Sequence, residues 1–174
     1  MNVWVAIRAA GIGGYVALYL SVAWGLISTT GIVTKRIAKP SGNHFHAVIA
    51  ATGLALVAVH LVLLTVHDFM PFSWLDLLVP AHAAYRPIAI AFGIASMYAM
   101  VVVTASSWLR GRLSVKVWRA IHLLAVPTFV LALIHGVFAG TDTGRPWMLA
   151  LYAGTGLSVV FLLLVRALTH GYRP

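Results

Sequence analysis

The stretch His46-Ala47-Val48-Ile49-Ala50-Ala51-Thr52-Gly53-Leu54-Ala55-Leu56-Val57-Ala58-Val59-His60 decides the fold. Thirteen uncharged residues separate its two histidines, and the apolar run continues to Val66. A helix needs about 20 apolar residues to cross the hydrocarbon core of a bilayer, and Ala47 to Val66 supplies them. Fourteen residues at about 100° each return His60 to within roughly 40° of His46. His46, Gly53 and His60 therefore share one stripe at a spacing of seven. Ionisable groups inside a bilayer are costly and usually functional. Gly53, midway, leaves room beside the stripe for a flat macrocycle.

Four further segments have the same character: Ala9 to Ser28, Ile88 to Trp108, Val117 to Ala139 and Trp147 to Val165. Breakers separate the five. Lys39-Pro40-Ser41-Gly42-Asn43 precedes the second, Arg86-Pro87 opens the third, and Gly140 to Pro146 divides the last two. No linker has room for another domain, so residues 1–174 are expected to form one all-α integral membrane bundle of about five transmembrane helices. The N-terminus has neither a basic n-region nor a small-residue cleavage site, so the first helix is expected to be retained.

Composition agrees. Of 174 residues, 61% are hydrophobic and 9% charged, with a mean hydropathy of +0.97. Soluble domains are about 45–50% apolar and about 25% charged, so a soluble enzyme is excluded. The acidic residues are Asp68, Asp76 and Asp142, with no Glu and no Cys. Paired-carboxylate hydrolysis, thiolate nucleophiles, disulfides, zinc–thiolate sites and iron–sulfur clusters are thereby excluded. The net charge of +9 reflects the positive-inside bias of membrane proteins rather than nucleic-acid binding.

Lys35, Arg36, Lys39, Arg110, Arg112, Lys116, Arg119, Arg166 and Arg173 fall on one side of the bundle. Arg8, Arg86 and Arg145 fall on the other, together with all three Asp. The expected topology places the first group in the cytoplasm, the N-terminus outside and the C-terminus inside, in a multi-pass cell (inner) membrane protein. Trp74, Trp108, Trp118 and Trp147 are expected at the interfacial belts. The segment Met70 to Pro80 is too short to span and too apolar for a free loop, so it reads as a short interfacial helix or lid, or as a plain greasy connection.

The fourth segment repeats the histidine pattern of the second. His122 and His135 lie thirteen apart, against fourteen for His46 and His60. Both segments start on the same side, so they run parallel, with the two members of each pair roughly 20 Å apart along their helices. His46 and His122 then share an inner depth, and His60 and His135 an outer one. Each pair can supply both axial ligands of a b-type haem, a six-coordinate arrangement suited to electron transfer. On a straight helix His135 would lie roughly 140° from His122. Pro127 lies between them and can kink the helix. His44 lies about 160° from His60 and is expected at the interface. A lone membrane histidine is more often a helix–helix hydrogen-bond partner than a ligand; two matched pairs are harder to explain in that way. Proton or metal translocation through these histidines is the reading from another class.

Trp118-Arg119-Ala120-Ile121-His122-Leu123-Leu124, ending in Ile134-His135-Gly136, resembles the fifth helix of the ferric reductase-like transmembrane domain. The His46–Gly53–His60 helix resembles the partner helix of that superfamily, which includes NADPH oxidases, ferric reductases and the methionine-sulfoxide-reductase haem subunit MsrQ. The resemblance covers roughly residues 40 to 140. It implies two stacked b haems on His46, His60, His122 and His135, with electrons passing outward from the cytoplasm. Members commonly have six helices, and the first has no counterpart here. No glycine-rich nucleotide fingerprint occurs, so the donor is expected to be a separate flavoprotein or quinol. The acceptor is expected to be oxygen, ferric iron or a periplasmic partner protein. A single haem beside a quinone or flavin (FMN) site, as in MsrQ-like relatives, is the alternative.

Weaker candidates complete the set. Phe129, seven after His122, is a candidate aromatic stepping stone or plain core. His67, seven after His60, is a candidate contact for an outer propionate or a substrate. Arg86, Arg145 and His82 outside, and Arg36, Arg112 and Arg119 inside, are candidate propionate holders or topology charges.

Overall fold

The structure, a computed structural model, describes residues 2–30, 39–67 and 71–170. The elements are α1 (Val3–Thr30), α2 (Lys39–Thr65), α3 (Trp74–Leu78), α4 (Pro87–Trp108), a 3-10 turn at Arg110–Arg112, α5 (Val115–His122), α6 (Ala125–Ala139) and α7 (Pro146–His170). No strand occurs among the described residues. Among the described residues five stretches are long and apolar enough to cross a membrane, with α5 and α6 together forming the fourth. This is a multi-pass membrane protein. Lys35, Arg36, Asp68, Met70 and Arg173 lie outside the described residues.

Two helices begin earlier than their apolar runs. α1 starts at Val3 rather than Ala9, and α2 at Lys39 rather than Ala47. Helical hydrogen bonding continues beyond the hydrocarbon, so hydropathy marks the membrane span and not the helix. The fourth span is interrupted at Leu123–Leu124. Pro127 has no N–H to offer the Leu123 carbonyl, and the turn tightens, with Leu124 N donating to Ile121 O at 3.0 Å.

Two pairings dominate: α1 packs along α2, and α4 along α6. α1 also reaches α6 and α7, and α2 touches α4 lightly. The bundle is thus two helical hairpins, α1–α2 and α4–α5–α6, closed by α7. One core joins Tyr15, Leu18, Val22 and Leu26 of α1 to Phe129 of α6 and Val159 of α7. Val59 and Val62 of α2, and Leu157, Phe161 and Leu164 of α7, point outward and meet lipid.

The segment after α2 does contain a short helix. Ser73 caps α3 in a reciprocal box with Asp76. Leu77 is buried while Trp74, Leu75 and Leu78 are exposed, as an interfacial helix requires. Trp74, Trp108 and Trp147 are also exposed, in keeping with belts at the interface. Trp118 departs from that expectation: α5 turns its indole inward, onto His122.

Candidate functional site

Each of the four membrane histidines is held at Nδ1 by an oxygen on the neighbouring helix of its own hairpin. His60 on α2 donates to the Ile7 carbonyl of α1 at 2.9 Å. His135 on α6 donates to the Ala89 carbonyl of α4 at 2.9 Å. His46 meets the Ser21 hydroxyl of α1 at 3.3 Å, and His122 the Ser107 hydroxyl of α4 at 3.5 Å. A carbonyl oxygen only accepts, so His60 and His135 carry their proton on Nδ1 and present a bare Nε2 lone pair. The hydroxyl contacts are longer and weaker.

The paired depths are realised. The His46 and His122 ring centres stand 5.9 Å apart at the end where Arg110, Arg112, Lys116 and Arg119 lie. His60 and His135 line one cavity towards the opposite end. The span is interrupted at Leu123–Leu124, between His122 and His135, with His122 meeting His46 and His135 lining the cavity with His60.

Glycines on the anchoring helices make the room. A Cβ on Gly93 would lie 2.6 Å from His135 Nδ1, and one on Gly11 would lie 3.0 Å from His60 Nδ1. Gly11 follows Ile7 by four residues and Gly93 follows Ala89 by four, so carbonyl and glycine share one face of each helix. The two hairpins therefore build the same device twice. Gly53 acts differently from expectation. It is buried, and its missing side chain admits Ala17 and Leu18 of α1 and the Met100 methyl rather than opening onto the cavity.

The cavity measures about 260 Å³. A buried water needs only about 10–15 Å³ by this measure, so the space suits something far larger. Its walls are apolar, with Arg8, His67 and Asp142 also lining it. Arg8 and Asp142 form a two-pronged ion pair at 2.6 Å that ties α1 to the α6–α7 connection.

Other candidates fall elsewhere. Phe129 is 1% exposed and stacks on Tyr15 in the α1–α6–α7 core, outside the cavity lining, where packing accounts for it. His67 lines the cavity against Trp4, ring centres 5.4 Å apart. Arg86 donates to the Phe138 carbonyl at the end of α6, His82 pairs with Asp76, and Arg145 is exposed. Arg8, which the sequence placed only among the charges of the outer side, lines the cavity instead. Arg112 and Arg119 are exposed, and it is Arg110 that reaches inward, its guanidinium 4.5 Å from the Trp118 ring centre.

These features fit a b haem. Among the described residues no three His, Cys, Asp or Glu side chains converge as a metal cage. Paired imidazoles would suit an iron that brings its other four ligands with it. His46 and His122, with ring centres 5.9 Å apart, are the residues that would hold an inner group. A family model described as ferric reductase like transmembrane component matches residues 10–134. No curated protein and no solved structure matches the chain.

Proposed function

The chain belongs to the ferric reductase-like transmembrane family, and from that premise and the histidine geometry we propose that it carries electrons across the membrane through two bis-histidine b haems. Haem supplies one-electron chemistry when bound, and the protein's part is to hold it, orient it and keep it dry. The observation that carries the reading is the Nδ1 anchor on each of the four histidines, two of them backbone carbonyls. A histidine whose second nitrogen is fixed in this way is oriented for ligation and made more basic.

His46 and His122 would hold the inner group, and His60 and His135 the outer. Gly11 and Gly93 let the outer rings lie close against α1 and α4. Met100, ending against Gly53, fills the space between the two depths with an apolar, polarisable side chain. The ends differ in charge. Arg110, Arg112, Lys116 and Arg119 form an exposed basic face beside the inner pair. In our reading this face is cytoplasmic and receives a reduced flavoprotein with an acidic surface, because basic charge steers an acidic partner. Electrons then leave at the opposite face, towards oxygen, ferric iron or a partner protein.

The test is the absorbance of the purified chain loaded with haem. Reduced low-spin bands and a pyridine haemochrome value near two haems per chain support the proposal. One haem per chain would favour the single-haem alternative, and a colourless protein that takes up no haem refutes both.

A further inference from the structure

The basic end of the bundle carries a ring stack that the four ligand positions do not require. The Trp118 indole lies on the His122 imidazole with ring centres 4.9 Å apart and planes 25° apart. Exposed Arg110 covers the same indole at 4.5 Å. Ser107 Oγ joins both rings, 3.5 Å from Trp118 Nε1 and 3.5 Å from His122 Nδ1. His122 in turn meets His46. An unbroken line of contacts therefore runs from a solvent-exposed cation, through one aromatic ring, to the inner pair.

This arrangement is at odds with a plain interfacial tryptophan. Trp74, Trp108 and Trp147 are 52%, 71% and 51% exposed, whereas the Trp118 ring is shared between a cation and an imidazole. A cation over an indole is attracted by the ring face and favours one placement of the ring. Arg110 covers it and Arg112, Lys116 and Arg119 are exposed within eight residues of it in the chain, so a partner drawn to this basic segment arrives near it.

We propose that Trp118, clamped by Arg110, is the electron inlet of the inner histidine pair. The inference rests on the haem reading above and deepens it. One electron passes from the reduced flavin of the docked donor to the ferric iron held by His46 and His122. No bond forms or breaks and no proton moves, and the indole–imidazole stack provides a continuous aromatic path. Trp118 is a positioning residue by this account, and Arg110 positions it in turn. The Arg110 charge also favours the reduced state of the inner centre.

The experiment uses the full haem-loaded chain in detergent with photoreduced flavodoxin, an acidic flavoprotein, as the donor. Reduction is followed by stopped-flow absorbance, and midpoint potentials by redox titration. Trp118→Leu should slow reduction of the inner centre about tenfold without altering its spectrum, while Trp118→Phe stays within about twofold of the unmodified chain. Arg110→Gln should lower the midpoint potential of the inner centre and leave that of the outer unchanged. A wild-type rate in Trp118→Leu, or equal slowing in Trp118→Phe, overturns the proposal. If Trp118→Leu loses the inner haem, Trp118→Phe and Arg110→Gln decide: normal inner potential and rate in Arg110→Gln overturn it. A wild-type chain that takes up no haem overturns the underlying reading instead, before any variant is compared.

Discussion

Gly93→Ala isolates how the outer histidine pair is held. A Cβ at this position would lie 2.6 Å from His135 Nδ1, 2.8 Å from Cε1 and 2.9 Å from Cγ. Ordinary contact begins near 3.4 Å, so the ring has to retreat by the difference, 0.8 Å. Ala89 O lies on the same face of α4 one turn earlier, so a ring that leaves Gly93 also leaves its 2.9 Å anchor. Overpacking of this kind costs about 1–3 kcal/mol, and a lost hydrogen bond about 0.5–1.5 kcal/mol. Disturbing the groups that orient a ligand typically weakens metal binding about 10–100-fold, the lower part of the range these two terms span. The expected result is a 10–100-fold weaker outer site and an unchanged inner one. Gly11→Ala meets its histidine at 3.0 Å and should show a milder form of the same defect. Gly154→Ala, with nothing within 4 Å, serves as the neutral control. Titrating haem into the apo-protein and following the absorbance of each site reads the effect. Two sites of normal affinity in Gly93→Ala, or equal loss of both, would refute the reasoning.

Three other outcomes follow from the same structure. His60→Ala or His135→Ala should remove only the outer haem, and His46→Ala or His122→Ala only the inner one, while His44→Ala is silent; a pyridine haemochrome assay and low-temperature spectra read the difference. Arg8→Met should lower the apo-protein melting temperature more than the double change with Asp142→Asn, because the single change strands a buried carboxylate at a cost of about 1–3 kcal/mol, less than a fully buried pair since Arg8 is 35% exposed. Ser73, and then His82, holds the Asp76 carboxyl down to about 2. Its unfolded value is about 3.9, so its support for α3 is complete above that value and is lost as pH falls through about 2. Trp74 fluorescence should be flat from neutrality to about pH 4 and change below it; a change complete by pH 5 would sink the assignment.

The five spans and the two histidine depths were legible because each rests on residue type and spacing. Pro127 was legible as a disturbance, although only the structure shows that it divides the span into α5 and α6. The anchors were not legible. Ile7 and Ala89 act through their carbonyls, and a backbone oxygen leaves no mark on side-chain identity. Gly11 and Gly93 were hidden for a related reason, since a glycine in an apolar run signals close approach without naming what approaches. Gly53 shows the converse: its position midway between two histidines suggested a cofactor, and α1 occupies the space instead. The stack of Trp118 on His122 left no mark in the sequence, because interfacial and stacked tryptophans share the same place at a helix end.

The twofold repetition of anchor helix and ligand helix has a consequence for assembly. Each depth draws one imidazole from the first hairpin and one from the second, and α2 and α6 are not among the closely packed helix pairs. If these pairs hold haem, neither half supplies both histidines of a pair alone. A bound group would act as a non-covalent cross-link between the halves, stabilising the native pairing in proportion to the logarithm of its concentration over its dissociation constant. Cofactor supply would then govern how much of the chain survives quality control in the cell, and a shortage would leave the pairing to the α1–α6, α1–α7 and α2–α4 contacts alone.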